Sequence, residues 1–424
     1  MDFSKIKFIF KDKDLRNKIL FVLAMMVVFR IAANIPIPGI DKTKLEQFFA
    51  QNQFFGLLNV FTGGALQNFS IVMFGLGPYI TAIIIFQVLT LVVPSLKELY
   101  QEQGEVGRKK FENYARIAAV PLAAIQAFGM LKMFQSQGVL PALTPLSLLT
   151  SIITITAGSM FLVWIGDLIT EKGIGNGVSL LIFAGIIAGV PSSIGQLYIN
   201  WDPSNLPSLI LFFMASLIII FGVVIVNEAR RNIPISYAKR VKGRRVYGGV
   251  STYLPMMINP AGVIPIIFAL SIMLLPGMLA NFFGNSSIAF LAKTANVINS
   301  LFQNQLIYGC FYFILVVAFT YFYTAVTFDP KNVAENLQKS GAFIPGIRPG
   351  ESTELFIKKI LNRILFIGAI FLGLIAVLPS IIQGITGITS FSFAVGGTSL
   401  LILVSVILET SKQIQSQLEM REYE

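Results

Sequence analysis

Side chains that could attack a substrate, move a proton or hold a metal are scarce in this sequence. Histidine, the commonest general base and metal ligand, is absent. The single cysteine, Cys310, lies in an apolar run, so neither a disulfide framework nor a thiolate metal site can be built within one chain. No Gly-Lys dipeptide occurs, which removes a Walker A loop and with it an ATPase of the P-loop kind. The run Gly173-Ile174-Gly175-Asn176-Gly177 superficially looks like a phosphate-binding glycine loop. It follows an apolar helix and not the strand of a βαβ unit, which points instead to a hinge or to tight packing between two helices. The charged residues inside the long apolar runs are Arg30 and Asp167, with Lys132 two residues from the outer end of 117–134. Such charges can mark proton relays or ion-coupled sites, but a structural ion pair or snorkelling accounts for them here. The runs carry neutral polar residues instead, among them Thr81, Gln87, Thr90 and Gln126, with Asn259 just ahead of the 261–283 run. These can hydrogen-bond between helices without committing to an ion pathway. Neutral walls, an apolar constriction and no fixed binding charge would suit a pore for chemically varied material.

The elements that carry these residues are set by composition. Of 424 residues, 55% are hydrophobic and 12% charged, and mean hydropathy is +0.75. A soluble domain carries about 25% charged residues, so half of that cannot coat a folded surface against water. This excludes a soluble enzyme and a disordered tail. A helix needs about 18 to 20 apolar residues to cross a bilayer. Nine runs reach or approach that length: 19–35, 71–93, 117–134, 146–169, 206–226, 261–283, 306–328, 364–382 and 391–408. A tenth, 177–190, has only 14 residues and could be buried or re-entrant on length alone.

Charge asymmetry decides between these readings, because short loops rich in Lys and Arg stay in the cytoplasm. With ten spans and the N-terminus inside, the inner segments hold 27 of the 32 Lys and Arg residues and the outer loops 4, Arg30 lying within the first span. If the tenth run does not cross, 13 fall inside and 18 outside. Ten spans with both termini inside is therefore the expected topology. The first run follows a basic segment but continues into Asn34-Ile35-Pro36-Ile37-Pro38-Gly39 without a small-x-small cleavage site just after its core. It reads as a retained span and not as a signal peptide.

Three loops stand out. Between 228 and 255, two extended stretches flank Lys242-Gly243, a plausible hairpin turn that would put Lys239, Arg240, Lys242, Arg244 and Arg245 at a projecting tip. An ordinary positive-inside loop against anionic lipid and a docking site for an anionic partner such as ribosomal RNA both fit, and charge alone leaves both open. Within 329–363, a short helix over 331–339 is expected to end at Ser340-Gly341. A turn-rich stretch carrying Arg348 at its apex follows, and a helix restarts near Ser352 with Glu351 and Glu354 in its first turn. Residues 56–68 are apolar, uncharged and broken by Gly63-Gly64, too short to span. They read either as a helix in the outer interface or as an element folded back into the bundle as a stopper.

Several strings are together familiar: Gly-Pro-Tyr-Ile at 77–80, Gly-Ile-Gly-Asn-Gly at 173–177, Tyr-Ala-Lys-Arg with Gly-Arg-Arg-Val-Tyr at 237–247, and Ala-Gly-Val-Ile-Pro at 261–265. To these add Lys-Ser-Gly-Ala-Phe-Ile-Pro-Gly-Ile-Arg-Pro-Gly at 339–350 and Gly-Gly-Thr-Ser-Leu-Leu-Ile at 396–402. They resemble the bacterial SecY family, the central subunits of the Sec protein-translocation channel, over essentially the whole chain. The resemblance implies an all-α polytopic membrane protein of the bacterial plasma membrane, with N- and C-termini cytoplasmic. Ten transmembrane helices would form two inverted, pseudo-symmetric five-helix halves, 1–190 and 206–424, around an hourglass pore, joined by an outer hinge loop at 191–205.

The family's pore ring falls on Leu76, Ile80, Val178, Ile182, Ile267 and Ile402, with Leu76 and Val178 standing where isoleucine is usual. The 56–68 segment would be the plug, with Leu57, Leu58, Val60, Phe61, Gly63, Gly64 and Leu66. A lateral gate would open between the second and third spans on one side and the seventh and eighth on the other, with Thr81 and Leu275 facing across it. Lys239, Arg240, Arg244, Arg245 and Arg348 look like the docking surface for the SecA ATPase or the ribosome through rRNA. SecE and SecG are the implied subunits, signal sequences and unfolded preproteins the cargo, and the lipid bilayer the exit for transmembrane segments. No cofactor, metal or catalytic residue is implied. The competing readings are a ten-span secondary transporter of a small solute and an intramembrane enzyme. The first lacks midplane charge, and the second lacks histidine and paired acids.

Overall fold

The structure is a computed structural model that describes residues 12–38, 44–45, 59, 62–141, 144–199, 206–237, 240–242, 245–247, 251–283, 289–386 and 397–422. In chain order the long helices are α1 (Lys13–Ala33), α2 (Gly77–Leu89), α3 (Gly104–Ser136), α4 (Pro145–Lys172), α5 (Gly177–Ile199) and α6 (Leu206–Glu228). They continue with α7 (Ile264–Phe283), α8 (Ala289–Gln303), α9 (Gln305–Thr327), α10 (Pro330–Lys339), α11 (Glu351–Thr386) and α12 (Gly397–Glu422). Their starts are written in the sequence. Asp12 caps α1 by accepting from Asp14 N, Thr144 caps α4 ahead of Pro145, Asn304 accepts from Leu306 N and Ile307 N, and Asp329 caps α10 ahead of Pro330.

Among the described residues four helices are long and apolar enough to cross a membrane, and the pair Gly77–Leu89 and Pro94–Glu102, bent by 115°, meets the same measure of length and apolarity as a broken span or a re-entrant loop. This pair corrects the expectation of one helix over 71–93. Residues 71–76 are turns, with Gly75 at φ +54, and the helix starts only where Gly77-Pro78 gives an N1/N2 proline. It cannot run through Pro94, because that residue lacks an N–H and pushes Val93 out of helical geometry. The short tenth run is corrected the other way. α5 continues through Pro191 for 23 residues, a length of about 34 Å. A helix that the sequence reading did not expect, α8, occupies the loop before α9.

Small residues set how closely the helices approach. A side chain at Gly158 of α4 would run into the carbonyl of Ile71, and one at Gly373 of α11 would meet the Phe313 ring of α9 at 2.7 Å. Outside the helical bundle, β1 (Arg230–Tyr237) is the central strand of an antiparallel sheet between β4 (Ser251–Met257) and β5 (Ala342–Phe343), while β2 (Arg240–Lys242) and β3 (Arg245–Tyr247) form a separate hairpin.

Candidate functional site

The six aliphatic residues assigned to the pore ring come from four helices and one cap. Leu76 is the N-cap of α2 and Ile80 lies in its first turn; Val178 and Ile182 open α5; Ile267 lies in the first turn of α7, and Ile402 in α12. The four-residue spacing stacks Leu76 with Ile80 and Val178 with Ile182 on one helix face each. The structure gathers all six into one apolar cluster: Leu76, Ile80, Ile182 and Ile402 are buried, Ile402 completely, and Val178 and Ile267 pack partly buried against them. A cluster of this kind supplies no proton, lone pair or charge. It can exclude water and ions while its side chains deform.

Of the plug residues, Leu57, Leu58, Val60 and Phe61 lie outside the described residues, whereas Gly63, Gly64 and Leu66 are placed. Residues 62–69 are a chain of tight turns. Gly63 and Gly64 take φ of +68 and +81, the left-handed region that glycine enters without strain, and Leu66 is fully buried. Gly63 must also be glycine for space, because a Cβ there would lie 2.7 Å from Gly185 Cα of α5. Arg30 Nη1 donates to Gly63 O at 2.5 Å.

Thr81 is buried, and its hydroxyl donates to Gly77 O of its own helix at 2.9 Å. The side chain of Leu275 lies outside the described residues. The expected gate elements are in contact: α7 packs against both α2 and α3, and Gln101 Nε2 donates to Val326 O of α9 at 2.9 Å. Beside that bond lies a cavity of about 370 Å³ whose lining includes Thr90, Lys97, Gln101, Asp329 and Lys358.

Of the docking residues, Lys239 and Arg244 lie outside the described residues, and Arg240 and Arg245 are described by backbone alone. The register of the hairpin sets Arg240 opposite Tyr247 and Lys242 opposite Arg245. Arg348 is exposed in a turn bounded by Gly346 at φ +80 and Gly350 at φ +101, and its carbonyl accepts from Thr353 Oγ1 at 2.9 Å. The sequence treats the 228–255 and 329–363 loops as separate, but the sheet joins them. β1 pairs Ser236 with Phe343 and Tyr237 with Ala342, and Ile233, Met256, Ile344, Ile357 and Leu361 form one small core beneath.

A model of the SecY family matches residues 70–411. The protein translocase subunit SecY of Thermotoga maritima is 44% identical over 426 residues, covering 98% of this chain and 95% of its own length. That of Aquifex aeolicus is 43% identical over 430 residues, covering 99% and 98%. The chain belongs to the SecY family. Solved structures agree in fold. A protein-conducting channel superposes with a TM-score of 0.63 at 20% identity, covering 93% of this chain and 91% of its own. Sec61 of the canine ribosome-channel complex superposes with a TM-score of 0.61 at 18% identity and the same coverage.

Within this family member the remaining sequence signals resolve into structure. The Gly173–Gly177 run is a packing device. Gly175 takes φ +90, and a side chain at Gly177 would run into the Gly166 carbonyl of α4. The amides at its two ends are used within the protein: Gly173 N donates to Ile169 O at 2.8 Å and Gly177 N to Thr170 Oγ1 at 2.9 Å. Asp167 is in an ion pair, 2.7 Å from Arg116 Nη2. On the charged N-terminal extension of α3, Glu112 is held above the usual carboxylate range by burial and by the Asp167 charge, with Arg116 opposing both. Burial likewise raises the Tyr100 phenol, against the nearby Arg108 cation. A polar tie that the sequence reading did not single out fixes α6 to α12. Asn227 Nδ2 donates to Ser405 Oγ at 2.7 Å, Asn259 Nδ2 to Asn227 Oδ1 at 3.0 Å, and Lys412 pairs with Glu228 at 2.7 Å. Asn259 also donates to the nearby Gly262 O at 3.0 Å, but its partner on α6, Asn227, is 32 residues away and carries no signal of pairing in the sequence.

Proposed function

We propose that this chain forms the passive polypeptide pore of a Sec translocase: an opening closed at its waist by Leu76, Ile80, Val178, Ile182, Ile267 and Ile402, and stoppered by 56–68. Its relatives are protein translocase subunits at over 40% identity along their whole length, and the chain is the pore-forming subunit of a protein-conducting channel in a membrane. The observation that carries the finer reading is that all six aliphatics fall in one apolar cluster that holds no Asp, Glu, Lys or Arg among its buried side chains. An apolar waist dewets, so ions are held back at no cost in fixed charge, while aliphatic side chains yield to a passing chain.

In this reading α1 to α7, α9, α11 and α12 are the ten spans, arranged as the halves 1–190 and 206–424 about the 191–205 hinge, in the bacterial plasma membrane with both termini inside. A signal sequence or nascent transmembrane helix leaves between α2 and α3 on one side and α7 and α9 on the other, past Thr81 and Leu275, because an apolar 20-mer is more stable in lipid than in a wet pore. The basic tip around Lys239, Arg240, Arg244 and Arg245 and the Arg348 turn receive the partner that does the work, SecA or the ribosome. The sheet that links the two loops supports their acting as one surface. The like charges set opposite each other at Lys242 and Arg245 favour an anionic partner. SecE and SecG complete the complex.

Reconstitution into proteoliposomes tests this reading. Import of a secretory precursor that requires both this chain and the SecA ATPase is the expected result. Uptake of a small solute with no precursor import would overturn it in favour of a secondary transporter.

A further inference from the structure

We propose that Arg30 is the latch of the plug: its guanidinium, by holding the Gly63 carbonyl, keeps the tip of the segment seated against α5 while the channel rests. This rests on the reading of 56–68 as a plug and gives Arg30 the task of holding it closed.

Arg30 stands in the last turn of α1, where the helix carbonyls favour a cation. That placement makes the charge tolerable whether or not the plug is seated. Among the described residues it forms no salt bridge, and its side chain has one hydrogen bond, to Gly63 O at 2.5 Å. A half-buried guanidinium with five donors and a single protein acceptor loses much of its local hydrogen bonding if that acceptor leaves. The geometry leaves little slack. A Cβ at Gly63 would lie 2.7 Å from Gly185 Cα, 3.3 Å from the Phe29 ring and 3.5 Å from Arg30 Nη1, so the tip is pressed between α5 and the end of α1.

The base of the segment is held by different groups. Ile37 N donates to Phe69 O at 2.9 Å and Ile71 N to Ile35 O at 3.0 Å. Asn68 Nδ2 donates to Asn34 Oδ1 at 3.1 Å. Phe69, at φ +46, is buried against Phe134. None of these bonds reaches Gly63. Breaking the Arg30 contact therefore removes the side-chain bond that ties Gly63 to α1 and leaves the contacts of the base in place.

The test compares resting anion conductance of the reconstituted translocase for the unaltered chain, Arg30→Gln, Arg30→Lys and a chain lacking residues 56–68. The deletion and Arg30→Gln are expected to leak roughly tenfold more than the unaltered chain, the scale of one lost charge-assisted bond. Arg30→Lys, which keeps one cationic donor, should leak less than Arg30→Gln. SecA-driven precursor import should stay within about twofold for both substitutions, showing that the channel is assembled, since the bond holds the resting plug and joins no two helices of the bundle. A leaky deletion with a tight Arg30→Gln channel overturns the latch and leaves the plug standing; a tight deletion overturns the plug reading itself. If Arg30→Gln fails to assemble, Arg30→Met keeps the length of the stem and removes its donors. Leakage there supports the latch, and a tight seal overturns it.

Discussion

At the residue scale the protein works by what its side chains lack. The six ring candidates are aliphatic and sit in an apolar cluster, so a single polar substitution changes the physical character of the barrier. Replacing Ile80, Ile182 or Ile402 by Asn is expected to raise resting ion conductance several-fold, since a hydrogen-bonding side chain rewets the constriction. Unchanged conductance in planar bilayers would remove that residue from the ring. Ile402, fully buried, should show the largest effect. The spacing of these residues was visible in the sequence as i, i+4 pairs, but many other aliphatic pairs share it. Only the family strings singled these out, and only folding brings Leu76 and Ile402 into one cluster.

At the scale of elements, two long loops become one module. The core of Ile233, Met256, Ile344, Ile357 and Leu361 couples β1, β4 and β5 to the first turns of α11, and Arg348 rides on it. Ile357, fully buried there, should cost about 2 to 5 kcal/mol on replacement by Ala. The expected result is faster proteolysis of the 329–363 loop and weaker SecA binding, with resting conductance unaltered because this core is separate from the ring cluster. Limited proteolysis and a binding isotherm on the reconstituted complex read both effects. The helix restart at Glu351 and the stop at Ser340-Gly341 were legible, as capping and breaker residues are local signals. The β1–β5 pairing was not, because its strands are over 100 residues apart and β5 has two residues.

For the whole molecule, charge distribution and docking make separate predictions. With exposed Cys310 first replaced by Ser, single cysteines placed at Lys42 and Lys293 should react with a membrane-impermeant maleimide added from outside. Cysteines at Lys109, Lys331 and Lys412 should react only after permeabilisation. Labelling of 331 and 412 from outside would remove a crossing between 177 and 190. Arg348→Glu and Arg244→Glu should cut SecA-driven import tenfold or more while the protein still inserts and stays sealed, because the loss of a buried or interfacial charge contact acts on the partner and not on the bundle. Normal import would strike the two residues from the docking surface.

The sequence by itself determined the membrane class and the number of apolar runs, and its charge asymmetry predicts the sidedness of the basic loops. Hydropathy and charge are summed along the chain, and no contact is needed to read them. It also placed the starts of α4, α5, α6, α9, α10 and α11 to within about a residue, while the starts of α1, α2, α3, α7 and α12 lie three or more residues from where their apolar runs begin. The tertiary structure decided where α2 begins and bends, that the Gly173–Gly177 run is packing and not a ligand loop, and that α6 and α12 are tied through Asn227 and Asn259. It also decided that Arg30 meets Gly63. Each of these depends on a backbone or side chain brought close from a distant part of the chain, and a one-dimensional pattern does not record proximity.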